Sequence, residues 1–215
     1  MIDIINNIFH ERSENVRQTI LRYLEILFLH HKNNNIISSS DSDYFIKREI
    51  YDCFQLSNFI RGNEFTDVGT GGGIPGILIS ILHPDSKLIL VDRKQSYIDF
   101  LTYVVADLKL DNVEIIKIDV LEAKDKLKTS NLLIKNFSNK KISRMEYSKK
   151  FNYLMKTLFF NKAVSKVYML TGSPVLKLDN SMVKGFSLKT KEISSPYFDT
   201  NRVIAEVGVE NFVNS

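Results

Sequence analysis

Asp67-Val68-Gly69-Thr70-Gly71-Gly72-Gly73-Ile74-Pro75-Gly76 carries five glycines in eight positions, with a β-prone run (Glu64 to Val68) before it and an apolar helical run (Ile77 to Leu82) after it. A strand, a glycine-rich turn and a helix in that order form a nucleotide-binding loop. Glycine lets the backbone turn sharply and approach a ligand that a Cβ would exclude. Two parsings compete. Gly71-x-Gly73-x-x-Gly76 satisfies the dinucleotide fingerprint, whereas Asp67-x-Gly69-x-Gly71-x-Gly73 is the acidic-glycine pattern that holds the methionine end of S-adenosylmethionine. The next strand, Lys87 to Val91, delivers Asp92 where either fold puts a carboxylate on ribose hydroxyls. Asp67 and the modest length of the chain favour S-adenosylmethionine.

Outward from the loop, periodicity alternates between strand and helix. Tyr97 to Leu108 has a helical apolar stripe, Val113 to Ile118 reads as a strand, Asn131 to Ile134 as a fourth, Met145 to Phe160 as a helix and Lys166 to Leu170 as a fifth strand. Strands alternating with helices predict a mostly parallel, doubly wound sheet with its ligand at the carboxyl ends. The tail differs, since Gly185 to Ile193 and Arg202 to Val209 are β-prone with no helical segment between them. They predict a terminal antiparallel pair, which separates a Rossmann-like methyltransferase sheet from an all-parallel dinucleotide sheet. Before the loop, residues 14 to 31 and the stripe Ile46, Ile50, Phe54 predict a helical region, with Asp43 capping the second helix. The expected division is an N-terminal helical region over 1–60, packed on a methyltransferase domain over 61–215.

The 215 residues suffice for one core with an appendage; 44% hydrophobic and 25% charged residues mark a globular, water-soluble protein. No apolar run reaches the length of a membrane helix and the first dozen residues lack signal-peptide character, so a cytoplasmic protein with no membrane contact is expected. The single Cys53 excludes an internal disulfide. His10, His30, His31 and His83 fall in no metal-ligand spacing, so no metal is expected, and His30-His31 suit the surface or the end of a helix. Charge is uneven. Lys124 to Lys191 holds fifteen Lys and one Arg against Asp125, Glu146 and Asp179, a net of +13, so that the rest of a chain totalling +4 carries −9. A face of that sign suits a polyanion such as nucleic acid.

The loop with its Pro75-Gly76 ending, His83-Pro84-Asp85, Leu90-Val91-Asp92-Arg93-Lys94 and Phe100-Leu101 resemble the RsmG family, also called glucose-inhibited division protein B or GidB. Asn35-Ile36-Ile37-Ser38 and Arg48-Glu49-Ile50-Tyr51-Asp52-Cys53 are similar to two further signatures of that family. The resemblance implies a bacterial enzyme that methylates guanine N7 in 16S rRNA of the small ribosomal subunit, with S-adenosylmethionine as cofactor. It carries cofactor contacts onto Gly69, Ile74, Val120, Leu121 and Lys135, which join Asp67, Gly71, Gly73 and Asp92 as candidate cofactor residues. Three departures stand out: Glu49 where the family has His, Lys135 where it has Arg, and Thr171 where it has Lys.

Guanine N7 has an in-plane lone pair and no proton to lose, so no general base and no cysteine nucleophile are required. No catalytic base is therefore assigned. Lys135 and Phe137 are candidates for positioning the substrate, Phe137 by stacking, and Lys140, Lys141 and Arg144 for holding RNA phosphates. Ser194-Ser195-Pro196-Tyr197 echoes the tetrad of amino-methylating enzymes but sits between the last two strands, where it reads as a turn. A monomer acting on 16S rRNA or the small subunit is expected. The three departures keep open a catalytically impaired cofactor- and RNA-binding homologue, and the fingerprint keeps open an NAD-dependent oxidoreductase.

Overall fold

The computed structural model describes residues 1–34, 36–37, 39–123, 127, 129–135, 142–179, 182–183, 185–199 and 201–209. Its chain order is α1 (Ile2–Ile8), α2 (Glu14–Asn34), α3 (Ser42–Phe45), a π-helical turn (Ile46–Ile50), α4 (Tyr51–Phe59), β1 (Glu64–Val68), α5 (Gly76–Leu82), β2 (Lys87–Asp92), α6 (Gln95–Leu108), β3 (Val113–Lys117), β4 (Asn131–Lys135), α7 (Tyr147–Leu158), β5 (Lys166–Gly172), a 3-10 turn (Ser173–Lys177), β6 (Phe186–Glu192) and β7 (Arg202–Val209). Among the described residues the strands form one sheet in the order β3-β2-β1-β4-β5-β7-β6. β1 to β5 are mutually parallel, whereas β7 runs antiparallel to both β5 and β6.

Each strand sorts its side chains by the period of two. Leu88, Leu90, Leu133, Tyr168, Leu170 and Ile204 join one core cluster with α5, α6 and the N-terminal helices. Their neighbours Ile89, Val91, Leu132, Ile134, Val167, Met169 and Val203 join the other, against Phe151, Leu154, Met155 and Leu158 of α7. Parallel strands covered on both faces read as near-continuous apolar runs, which is why Lys87 to Asp92 and Asn131 to Lys135 look unbroken in sequence. Ile5, Ile20, Leu24, Leu27, Ile46, Ile50 and Leu56 from the first 60 residues lie in the same cluster as Leu90 and Leu101, so the N-terminal helices and the sheet share one core.

Two local features differ from the sequence reading. The second helical segment is capped by Asp41, whose Oδ1 accepts from the Tyr44 N–H at 3.0 Å; Asp43 lies inside the helix, near the N-terminal amine at 3.6 Å. That segment also passes through the π-helical turn, a feature that periodicity at 3.6 residues does not register. His31 lies in the last turn of α2, as the sequence suggested, where it is buried with its Nδ1 accepting from the Ile37 N–H at 3.2 Å. No helix among the described residues is long and apolar enough to cross a membrane.

Candidate cofactor and acceptor site

The glycine loop joins β1 to α5 at the carboxyl edge of the sheet. Gly69, Gly71 and Gly73 have φ of 72, 55 and 92°, the left-handed region that side chains other than glycine's resist. The N–H groups of Gly69 and Thr70 donate to the Val91 carbonyl at 2.9 and 3.1 Å, so the loop starts as a continuation of the β1–β2 ladder. Beneath it Asp67 is 1% exposed, and its Oδ2 accepts from the Thr70 hydroxyl at 2.7 Å and from the Gly76 N–H at 2.8 Å. This carboxylate binds the two ends of the loop together. Burial pushes its pKa up to about 6, against the lowering effect of those two hydrogen bonds. Gly76 is fixed by packing: a Cβ there would lie 2.3 Å from Leu90 Cδ2 and 2.8 Å from the Asp67 carboxylate. From α2, the buried Tyr23 hydroxyl donates to the Gly72 carbonyl at 2.7 Å.

Above the loop opens a cavity of about 410 Å³. Gly69, Gly71 and Ile74 line it from the loop after β1, Asp92 from the end of β2, Val120 and Leu121 from the segment after β3, and Lys135 from the end of β4. Seven of the nine candidate cofactor residues thus face one space. Asp67 and Gly73 are not among its lining residues; they shape the loop from below, Gly73 because a Cβ would meet Ile77 Cγ1 at 2.5 Å. Asp92 accepts from the Gly71 N–H at Oδ2 (3.1 Å) and from the Lys94 N–H at Oδ1 (3.0 Å), so each oxygen keeps a lone pair for a further donor. Asp119 likewise orders its segment by accepting from the Leu121 N–H at 3.1 Å.

The far wall comes from the N-terminal region, with Ile36, Ile37, Phe45 and Glu49. Ile36, Ile37 and Glu49 fall within the two family signatures noted in the sequence, which assigned them no place at the cofactor; Phe45 carried no such signal. Glu49, on the π-helical turn, forms an ion pair with Lys135, their side chains 10% and 8% exposed. One turn on, Asp52 accepts from Arg202 Nε at 2.7 Å, tying α4 to the start of β7. The two departures, Glu49 and Lys135, are therefore partners. Burial acts to raise the Glu49 carboxyl, but the charge and hydrogen bond of Lys135, with help from Arg202 and Arg48, hold it below the usual carboxylate range. The third departure, Thr171, shares a 3.0 Å hydrogen bond with the Tyr147 hydroxyl.

Arg144 is exposed just before α7. Phe137, Lys140 and Lys141 lie outside the described residues. Cys53 is buried in α4, where desolvation pushes its thiol up, away from a reactive thiolate. Ser195 and Tyr197 turn the chain between β6 and β7, the Ser195 hydroxyl accepting from the Tyr197 N–H at 3.2 Å.

A family model described as rRNA small subunit methyltransferase G matches residues 16–166. Among curated relatives, Ribosomal RNA small subunit methyltransferase G of Pseudomonas fluorescens is 36% identical over 99 residues, 46% of this chain and 46% of that protein. The protein of the same name in Fusobacterium nucleatum is 29% identical over 198 residues, 90% of this chain and 83% of its own. The chain thus spans about half the length of the Pseudomonas relative and most of the Fusobacterium one. Of solved structures, MtNAS in complex with MTA and tNA superposes with a TM-score of 0.56 at 18% identity, covering 86% of this chain and 70% of that one. A ribosomal protein L11 methylase from Lactobacillus delbrueckii superposes at 0.52 with 11% identity and 81% coverage of each chain. At those identities the likeness concerns the fold, and with the strand order and the antiparallel β7 it is that of Rossmann-like methyltransferases. By the match over residues 16–166, the chain belongs to the GidB family, rRNA small subunit methyltransferase G.

Proposed function

We propose that this chain transfers a methyl group from S-adenosylmethionine to N7 of a guanine in bacterial 16S rRNA. The observation that carries the reading is the 410 Å³ cavity, with the glycine loop at its base, Asp92 at the end of β2 and Lys135 at the end of β4, in a chain of this family. The residues fit the cofactor. Gly69 and Gly71 give it backbone without a Cβ, Asp92 retains lone pairs for ribose hydroxyls, and Ile74, Val120, Leu121 and Lys135 complete the walls, while Asp67 and Gly73 act from beneath the loop. When bound, S-adenosylmethionine supplies an activated methyl group on a sulfonium centre. The chain's own contribution is alignment, because N7 attacks with a lone pair that carries no proton. This agrees with a site whose carboxylates are all engaged: Asp67 by Thr70 and Gly76, Asp92 by Gly71 and Lys94, and Glu49 by Lys135.

Residues 1–60 act in this reading as a helical region that closes the cavity of a 61–215 methyltransferase domain, in a cytoplasmic monomer. Arg144, with Lys140 and Lys141, supplies phosphate contacts, and Phe137 is the stacking candidate. The contact between Glu49 and Lys135 supports reading them as one compensating change rather than two losses of activity. Support for an NAD-dependent oxidoreductase falls away with the antiparallel β7.

Titration calorimetry with S-adenosylmethionine and with NAD tests the cofactor; binding of NAD alone would overturn it. N7-methylguanine carries a fixed charge that makes its strand cleavable by borohydride and aniline. Small-subunit rRNA from cells lacking the gene should lose one such cleavage and regain it with the wild-type chain, and an unchanged pattern would refute the assigned reaction.

A further inference from the structure

Among the described residues three carboxylates line the cavity: Asp119 after β3, Asp92 at the end of β2, and Glu49 in contact with Lys135 at the end of β4. The sheet order β3-β2-β1-β4 sets their sequence across the site. Neighbouring strands are about 4.8 Å apart, so the ends of β2 and β4, which carry Asp92 and Lys135, lie roughly 10 Å apart on either side of the glycine loop. With ribose on Asp92, one end of S-adenosylmethionine extends toward β3 and the other toward β4. The β3 side is walled by Tyr97, Ile118, Val120 and Leu121, a setting for the flat, uncharged base. Its charged pair, Arg93 and Asp119, has side chains 58% and 24% exposed, so water screens it. On the β4 side Glu49 and Lys135 are about nine-tenths buried. Asp67, the acid of the glycine loop, is occupied beneath the loop by Thr70 and Gly76.

We propose that Glu49 binds the α-ammonium group at the methionine end of the cofactor, beside Lys135 on its carboxylate, so that the N-terminal helical region supplies a cofactor ligand; the inference rests on S-adenosylmethionine as cofactor. That end is a zwitterion, with a cation and an anion on one carbon. The buried pair presents the two complementary charges. Lys135 takes Oε2 of Glu49 and Arg48 Nε faces Oε1 at 3.5 Å, which leaves lone pairs on both oxygens. The Lys135 ammonium likewise has N–H donors beyond the one given to Glu49. Laid against them, the zwitterion completes four alternating charges in a space with little water, where each attraction is stronger than at the surface. Burial acts against the charge on Glu49, but Lys135, Arg202 and Arg48 hold its carboxyl low, so it is ionised at neutral pH, as an acceptor for an ammonium must be. The histidine that the family has at this position offers at most one neutral acceptor nitrogen. The charge-paired arrangement belongs to the acidic residue, and it gives the departure at Glu49 a task.

Calorimetry on the full-length chain reads the two charges separately, using S-adenosylhomocysteine, its deamino and decarboxy analogues, and methylthioadenosine, which lacks both groups. In the wild type, loss of the amino group or of the carboxylate should each weaken binding about tenfold or more, the size of one charge-assisted hydrogen bond. Glu49→Gln should bring the deamino analogue to within about threefold of S-adenosylhomocysteine while keeping the discrimination against the decarboxy one. A merely structural Glu49 would weaken all four ligands in proportion and leave those ratios as they are. The double variant Glu49→Leu/Lys135→Met strands no charge, so it decides the matter where the single variant does not fold. It should bind S-adenosylhomocysteine and methylthioadenosine alike. A deamino analogue that binds the wild type as tightly as S-adenosylhomocysteine, a Glu49→Gln variant with the wild-type ratios, or a double variant that still discriminates would each overturn the proposal and leave the cofactor assignment standing. If the wild type binds none of the four, both fall.

Discussion

Breaking the Glu49–Lys135 pair from either side should have unequal costs. Both side chains are about nine-tenths buried, so removing one partner leaves a charge that water reaches poorly. Buried pairs broken in this way lose about 3–5 kcal/mol, and access from the cavity reduces that to roughly 2–4 kcal/mol here. The surroundings make the two single variants different. After Lys135→Met, Glu49 still has Arg48 Nε at 3.5 Å and the field of Arg202. After Glu49→Gln, Lys135 loses its salt-bridge partner. Glu49→Gln should therefore be the more damaging, lowering the urea midpoint by about 1 M if the slope is near the upper end of the usual 1–3 kcal/mol/M for small proteins. The double variant Glu49→Leu/Lys135→Met leaves no stranded charge and should fall within about 1 kcal/mol of wild type, a coupling of roughly 2 kcal/mol or more. Urea unfolding of the four proteins followed by circular dichroism measures all of this. The Glu49 carboxyl is held low in the folded state, so the pair's contribution is present above the unfolded value of 4.5 and is lost as pH falls through the folded one. Additive single effects would refute the coupling, and a Lys135→Met variant less stable than Glu49→Gln would refute the inequality between the two sides.

Asp92→Ala should weaken S-adenosylmethionine at least about tenfold, since charge-assisted hydrogen bonds contribute roughly 1.5–3 kcal/mol each, and the loss of its bonds to Gly71 and Lys94 adds to the effect; an unchanged calorimetric dissociation constant would make the residue purely structural. Gly76→Ala puts a Cβ 2.3 Å from Leu90 Cδ2 and should destabilise the fold by about 1–3 kcal/mol, whereas at Gly71 a Cβ meets no atom within 4 Å and the cost is only that of φ at +55°; equal thermal shifts for the two alanine variants would contradict this. Asp67, with its folded pKa raised from 3.8 to about 6, favours the fold most below pH 4 and withdraws about 3 kcal/mol as pH rises to 6. Asp67→Asn should flatten the pH dependence of the urea midpoint over that window, and a profile parallel to wild type would sink the assignment.

Loop, strand and helix identities were legible in sequence because they rest on local chemistry: left-handed turns that only glycine tolerates, a period of two in strands and 3.6 in helices. Glu64 to Val68, the loop and Asp92 could be read from about thirty contiguous residues, and the lack of a helix between β6 and β7 told the sheet type. The tertiary structure decided which of these residues share a space. Asp67, read as a ligand residue, turned out to tie the loop ends together, because its side chain points under the loop toward Thr70 and Gly76. Asp41 displaced Asp43 as a cap on geometry that differs by two residues. Tyr23 and Phe45 reached the site from helical positions that carry no ligand-binding signature, and Glu49, noted only as a departure from its family, reached it as the partner of Lys135. Arg202 met Asp52 across 150 residues of chain. Such contacts leave no trace in any short window, since they depend on where distant elements come to lie once apolar faces are buried; sequence periodicity specifies that burial, but not which charges it brings together.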